Sequence, residues 1–285
     1  MMRAIADKIV HRSSDSHKGD YGHVFVLAGS RAYTGAPYLA SQGALLSGAG
    51  LVTLGIAQSL YPILAAKLTE VMVRPFSETR DQSLGLSAER DIIDFAEKAD
   101  VLAVGPGISL NKETMQLVRD LLTKVPKPFV VDADALSALR GHLDLLTRLA
   151  HPMCLTPHPG ELARLLEKEV KDIQRDRKNI ALQFSKEYNV VLVLKGHGTV
   201  VANPRGDAYI NETGNPGMAS GGVGDVLTGI IAGLIGQGLE AYEASMLGVH
   251  VHGLAGDLAA KEKGVVSLIA TDLLHKLPEA FRMLA

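Results

Sequence analysis

Residues 215–225 read Asn-Pro-Gly-Met-Ala-Ser-Gly-Gly-Val-Gly-Asp, and Val226-Leu227-Thr228-Gly229-Ile230-Ile231 follows without a break. Four glycines and a proline cannot pack a core, whereas Val226, Leu227, Ile230, Ile231, Leu234 and Ile235 recur at helical spacing. A glycine loop therefore runs straight into the N-terminus of an apolar helix. Such a junction is an anion site. The first-turn amides lack partners, the helix dipole presents its positive end, and glycine lets a phosphate approach without a Cβ in the way. Asp225, in that first turn, has an ordinary reading as an acidic cap. With a phosphoryl group seated there, it would also orient and deprotonate an attacking hydroxyl while the amides neutralise developing charge. The two readings are compatible.

Ahead of this junction the chain alternates strand and helix. Strands are predicted at 23–27, 51–56, 71–74, 101–104, 129–132, 153–156 and 190–194. Between them fall helices at 35–47, 60–67, 88–98, 112–123, 136–139, 143–149, one starting at Glu161, and one spanning 172–188. The turn Asn203-Pro204-Arg205-Gly206-Asp207 joins short strands 199–202 and 208–210 into an edge hairpin. Helices at about 225–237, 241–261 and 271–284 close the chain. Strands separated by helices of this length demand right-handed crossovers and a mostly parallel sheet covered on both faces. The expected fold is one doubly wound, three-layer α/β/α domain over residues 1–285. The polar and glycine punctuation after each strand then gathers on one rim, where ligands of such sheets lie.

Composition narrows the partners. A net charge of −2, no tryptophan and no long basic run leave neither a funnel nor a stacking platform for nucleic acid. Cys154, the single cysteine, sits between Met153 and Leu155, so a buried structural thiol is expected, with no internal disulfide. Arg3, Asp7, Lys8, His11 and Arg12 interrupt any signal-like apolar run, and no segment reaches the roughly 18 apolar residues of a membrane span. A cytoplasmic location is expected. Neither the Walker lysine pattern nor Gly-x-Gly-x-x-Gly occurs: Gly196-His197-Gly198 leads to Val201, and Gly222-Val223-Gly224 to Leu227.

Lys195-Gly196-His197-Gly198-Thr199 and the 214–225 loop resemble the nucleotide and anion-hole elements of the ribokinase-like superfamily. Segments 16–22 and 35–50, Val104-Gly105-Pro106-Gly107, Asp132-Ala133-Asp134-Ala135 and Thr156-Pro157-His158-Pro159-Gly160-Glu161 extend the likeness in order along residues 13–260. In that detail the chain is similar to the ADP/ATP-dependent NAD(P)HX dehydratases, without their frequent epimerase partner domain. The resemblance implies repair of the S-epimer of hydrated NADH or NADPH: ADP or ATP phosphorylates the ring hydroxyl, and phosphate elimination restores the cofactor. Asp225 would be the base, with amides from Gly221, Gly222 and Gly224 around the phosphoryl group. Lys195, Gly196, His197, Gly198, Thr199 and Gly224 would hold the AMP part of the donor, and Asn215, Met218 and Ala219 the adenine side. Ala36, Gly107, His158 and Asp225 would line the hydrated-dinucleotide site.

The resemblance also implies Mg2+, a K+ requirement, a homotetramer and cooperation with a separate NAD(P)HX epimerase. Asp132 and Asp134 suit either water-mediated magnesium or turn capping, while His250 and His252, two apart on a helix, make a poor metal pair. A hydroxymethyl vitamin-precursor or sugar kinase, which would release a stable phosphorylated product, and a non-catalytic nucleotide sensor are the competing functions.

Overall fold

In the computed structural model, which describes residues 1–284, nine strands form one sheet in the order β3-β2-β1-β4-β5-β6-β7-β8-β9. The final position of the expected domain, 285, lies outside the described residues. The strands are β1 His23–Leu27, β2 Leu51–Ala57, β3 Met72–Phe76, β4 Val101–Val104, β5 Phe129–Val131, β6 Met153–Leu155, β7 Val191–Leu194, β8 Val200–Ala202 and β9 Ala208–Ile210. Pairing is parallel from β3 through β7 and antiparallel from β7 to β9, the edge hairpin expected from the 203–207 turn. Asn203 builds that turn by accepting at Oδ1 from the amides of Arg205 and Asp207, each at 3.0 Å.

Successive strand residues feed opposite cores. Val24 and Val26 join the core beneath α1 (Met2–Val10), α2 (Gly35–Leu46) and α3 (Tyr61–Lys67). Phe25 and Leu27 join the other, beneath α4 (Glu89–Ala96), α5 (Lys112–Lys124), α6 (Asp134–Ser137), α7 (Pro159–Leu166), α8 (Val170–Arg175) and α9 (Arg177–Tyr188). The first core is completed by α10 (Val223–Gly236), α11 (Ala241–Lys263) and α12 (Ala270–Arg282). Central strands buried on both faces require near-continuous apolar runs, and all five residues of β1 are apolar apart from His23 at its start.

Local boundaries depart from expectation at five places. The helix expected over 172–188 is two helices, broken at Asp176 (φ −144°, ψ 56°), which puts Arg177 at the first position of α9. Residues 143–148 wind as a 3-10 helix, and the short helix expected at 136–139 occupies Asp134–Ser137. Helix α7 starts at Pro159, which needs no amide partner there, and His158 caps it. Helix α10 starts at Val223, so Asp225 is its third residue, still within the first turn.

The closest helix pair is α2 against α10, and glycine sets the approach. A Cβ on Gly229 would lie 2.0 Å from the Ala40 carbonyl oxygen, and one on Gly233 2.6 Å from that of Ala44. Reciprocally, a Cβ on Gly43 would lie 2.6 Å from the Val226 carbonyl oxygen. The helices meet backbone to backbone, which holds the α10 N-terminus at the strand-end rim. Because the obstacle is backbone rather than a movable side chain, Gly229→Ala is expected to destabilise the protein by about 3 kcal/mol, the upper range for overpacking. Thermal denaturation checks it through a Tm several degrees below that of the parent.

Candidate active site

Lys195, at the end of β7, reaches across the rim to Asp132, at the end of β5, with Nζ to Oδ1 at 2.6 Å. Asp132 is 1% exposed, and its Oδ2 accepts from Thr228 Oγ1 of α10, also at 2.6 Å. Burial works to lower the Lys195 pKa, but the charges of Asp132 and Glu161 outweigh it and hold the ammonium above its ordinary value. A fixed positive charge therefore sits beside the first turn of α10; a Cβ on Gly224 would lie 3.4 Å from Lys195 Nζ.

No side chain caps α10, whose N-cap is Gly222 at φ 87°. Its first-turn amides are thus left without a side-chain acceptor. The carboxylate of Asp225 is pushed up to about 7, first by burial and then by the negative charge of Asp132, with Lys195 opposing. A general base poised near neutrality is the chemistry such an environment produces.

A cleft of about 690 Å³ opens beside this helix end. Its walls carry His158, the whole run Lys195 to Thr199, Asn215, Met218, Ala219 and Gly224, all expected nucleotide-site residues or neighbours. Loop side chains there are largely spent on shape. Asn215 accepts at Oδ1 from the Gly217 amide (3.0 Å) and donates to Asp257 Oδ1 (2.9 Å), while Thr199 Oγ1 donates to the Gly196 carbonyl at 2.9 Å. Met218 packs its thioether into a notch that exists because residue 256 is glycine; a Cβ there would fall 2.3 Å from the sulfur.

Ala36, Gly107 and Asp225 do not line that cleft. Ala36 and Gly107 meet each other instead: Gly107 has φ 61°, and a Cβ on it would lie 3.2 Å from the Ala36 Cβ and 2.5 Å from that of Tyr33. Gly221 and Gly222 also stand outside the cleft walls. Gly222 is pressed on Leu39, 2.4 Å from a notional Cβ, whereas Gly221 has no atom within 4 Å in that direction.

His158 accepts at Nδ1 from the Gly160 amide (3.0 Å) and the Glu161 amide (3.3 Å), so its neutral ring carries the proton on Nε2. Burial first, then the charges of Lys195 and Arg164 against the opposing Glu161, keeps its pKa below the ordinary value, which favours that neutral donor at pH 7.

Three contributors escape sequence reasoning. Arg177 donates from Nη2 to the carbonyls of Leu194 (2.9 Å) and Lys195 (3.1 Å) and from Nη1 to that of His197, fastening the 194–197 loop. His252, its pKa depressed to about 4 by burial, bonds through Nε2 to the Val223 carbonyl at 2.9 Å and buttresses the first turn of α10. Thr228 fixes the Asp132 rotamer. All three act through contacts between residues distant in sequence, so no local spacing announces them. The expectation of a buried thiol holds: Cys154 is buried and its pKa is driven up to about 12.

Residues 24–279 match the family model described as NAD(P)H-hydrate dehydratase. The chain belongs to the NAD(P)H-hydrate dehydratase family. Among curated relatives, the bifunctional NAD(P)H-hydrate repair enzyme of Moorella thermoacetica is 48% identical over 277 residues, covering 97% of this chain and 52% of that protein. The chain thus spans about half the length of the first curated relatives it matches. The ADP-dependent (S)-NAD(P)H-hydrate dehydratase of Bacillus subtilis is 34% identical over 271 residues, 95% of this chain and 93% of that one. A crystal structure of the Bacillus subtilis ADP/ATP-dependent NAD(P)H-hydrate dehydratase, co-crystallised with ATP/Mg2+, superposes with a TM-score of 0.86 at 30% identity, covering 100% of this chain and 98% of that chain.

The raised pKa of Asp225 also has a stability consequence. Folded Asp225 holds its proton up to about pH 7, whereas the unfolded chain releases it near the ordinary 3.8. The folded state therefore binds more protons between those values, so stability contributed by this group falls as pH rises through that window. Asp225→Asn is expected to raise Tm at pH 8 relative to the parent, with the difference shrinking toward pH 4. Paired thermal melts across that range measure it.

Proposed function

We propose that the protein dehydrates the S-epimer of hydrated NADH or NADPH, with ADP or ATP as phosphoryl donor. The observation that carries this reading is the uncapped N-terminus of α10 facing a nucleotide-sized cleft, with Asp225 titrating near 7 in its first turn. Family membership supplies the substrate class.

Asp225 takes the proton of the ring hydroxyl as its oxygen attacks the terminal phosphorus of the donor, and AMP leaves when the donor is ADP. The first-turn amides, with those of Gly221 and Gly222, offset charge on the phosphoryl oxygens. Lys195 adds a fixed positive charge whose position the Asp132 pair determines. Phosphate then departs from the ring carbon, driven by the ring nitrogen lone pair, and loss of a ring proton restores the dihydropyridine. Neutral His158, together with Ala36 and Gly107, lines the ring side.

Magnesium fits as a companion of the donor. Asp132 is fully engaged by Lys195 and Thr228, and Asp134 accepts from the Ser109 amide at 3.0 Å, so the chain offers no ready cage. Phosphate oxygens and water would supply most ligands, as is usual for this ion, which supplies charge neutralisation when bound. A cytoplasmic homotetramer working beside a separate epimerase is the accompanying proposal, tested by light scattering and by adding the R-epimer with and without an epimerase.

Recovery of dihydronicotinamide absorbance from hydrated NADH plus ADP tests the reaction; accumulation of a stable phosphorylated product instead would mark a kinase, and no turnover a sensor. Asp225→Asn is expected to lower kcat by about 100-fold to 10,000-fold. The parent's kcat/KM should rise with pH to a plateau above an apparent pKa of about 7, because only the ionised Asp225 acts as base. Gly221→Ala adds a Cβ that meets no atom within 4 Å, so the fold should be unchanged. Its turnover should nonetheless drop by about 100-fold, the scale of loss expected when a reacting group is displaced by an ångström. Steady-state kinetics together with a Tm identical to the parent's would bear this out.

A further inference from the structure

The loop after β7 divides its hydrogen bonds unevenly. Its carbonyls are held from within the protein: Arg177, at the head of α9, donates from Nη2 to Leu194 (2.9 Å) and Lys195 (3.1 Å) and from Nη1 to His197, and Thr199 Oγ1 donates to Gly196 at 2.9 Å. Its amides are not. Those of Gly196, His197 and Gly198 donate to no acceptor among the described residues, although all three residues wall the nucleotide cleft. Consecutive backbone amides without protein acceptors form the kind of concavity that binds anions.

Peptide geometry ties the two halves of this pattern together. Across a trans peptide the C=O and the following N–H point in opposite directions, and no cis bond occurs among the described residues. Arg177 draws the carbonyls of Lys195 and His197 toward α9, so the amides of Gly196 and Gly198 are turned away from α9. Arg177 does not line the cleft, whereas both glycines do, so turning away from it is turning toward the cleft. Glycine at 196 is part of the arrangement: its φ is 135°, and a Cβ there would lie 3.2 Å from Arg177 Nη2. No carboxylate pairs with Arg177 among the described residues, so its charge is not cancelled. It acts through the peptides, because a cation on a carbonyl polarises the unit and strengthens donation by the next N–H.

We infer that Arg177 is a positioning residue for the leaving nucleotide: it turns the Gly196 and Gly198 amides onto the phosphate that stays with AMP, without itself touching the donor. Only a planar fork with several donors can hold three carbonyls of one loop at once, which is the property that separates arginine from lysine. The inference rests on the dehydratase reading for the identity of that phosphate, and deepens it. The α10 amides hold the phosphoryl group in transit, and the 196–198 amides hold the group it leaves.

The test uses the full chain and binding alone, so that it does not depend on turnover. AMP and adenosine, which lacks the phosphate, are titrated calorimetrically against the parent and Arg177→Met. Loss of the charge-assisted arrangement should weaken AMP binding in the variant by about tenfold or more. Adenosine affinity should stay within about twofold, which general damage to the loop would not allow. A second arm needs no variant and so survives a failure of Arg177→Met to fold: in amide NMR spectra of the parent, the Gly196 and Gly198 resonances should shift on adding AMP and stay in place on adding adenosine. Unchanged AMP affinity, equal weakening of both ligands, or glycine amides that ignore AMP or respond equally to adenosine overturn the inference while leaving the dehydratase reading in place. A parent that binds neither AMP nor ADP overturns both.

Discussion

The buried pair of Lys195 and Asp132 is the contact on which the arrangement of the site depends. It joins the ends of two strands separated by β6, and through Thr228 it joins both to α10. An ion pair out of water is tolerable only when the remaining lone pairs and protons are satisfied, and here Thr228 satisfies Asp132 while Glu161 stands 3.9 Å from the ammonium. One consequence is electrostatic. After burial, the carboxylate of Asp132 near the first turn of α10 is the next cause that pushes Asp225 up to about 7. The residue that organises the rim thus also tunes the acid that the rim presents.

A second constraint is steric. Helices α2 and α10 approach through Gly43, Gly229 and Gly233, and no residue with a side chain fits at those contacts. Helix α10 is consequently seated deeply enough for its N-terminus to meet the strand ends instead of standing above them. The cleft loop 194–199 is fastened by Arg177 and by its own Thr199 bond, and the 214–218 turn by Asn215 and Asp257. The amides and charges lining the cleft are thereby held in place by the fold itself, which is the condition for electrostatic stabilisation without reorganisation.

Much of this was legible in the linear pattern. The order of strands and helices, the antiparallel hairpin at the end of the sheet and the glycine junction at Asp225 follow from periodicity and turn chemistry, because those signals lie within a few residues of one another. Boundaries were less legible. The break at Asp176 leaves no proline or glycine mark, yet it sets Arg177, which fastens the 194–197 loop, at the head of α9. The resemblance put His158 at the dinucleotide site; that it caps α7 through Nδ1, and so presents Nε2–H, depends on the path of the chain after β6.

By itself the sequence determined the alternating architecture, the buried thiol of Cys154 and a glycine-led helix start with an acid in its first turn, since each is a property of neighbours along the chain. Only the tertiary structure decided that Asp132 pairs with Lys195 and Thr228, and that Ala36 and Gly107 meet each other outside the walls of the cleft. Those outcomes turn on side chains drawn together from different strand ends, where burial and charge act over ångströms in space and sequence separation carries no information.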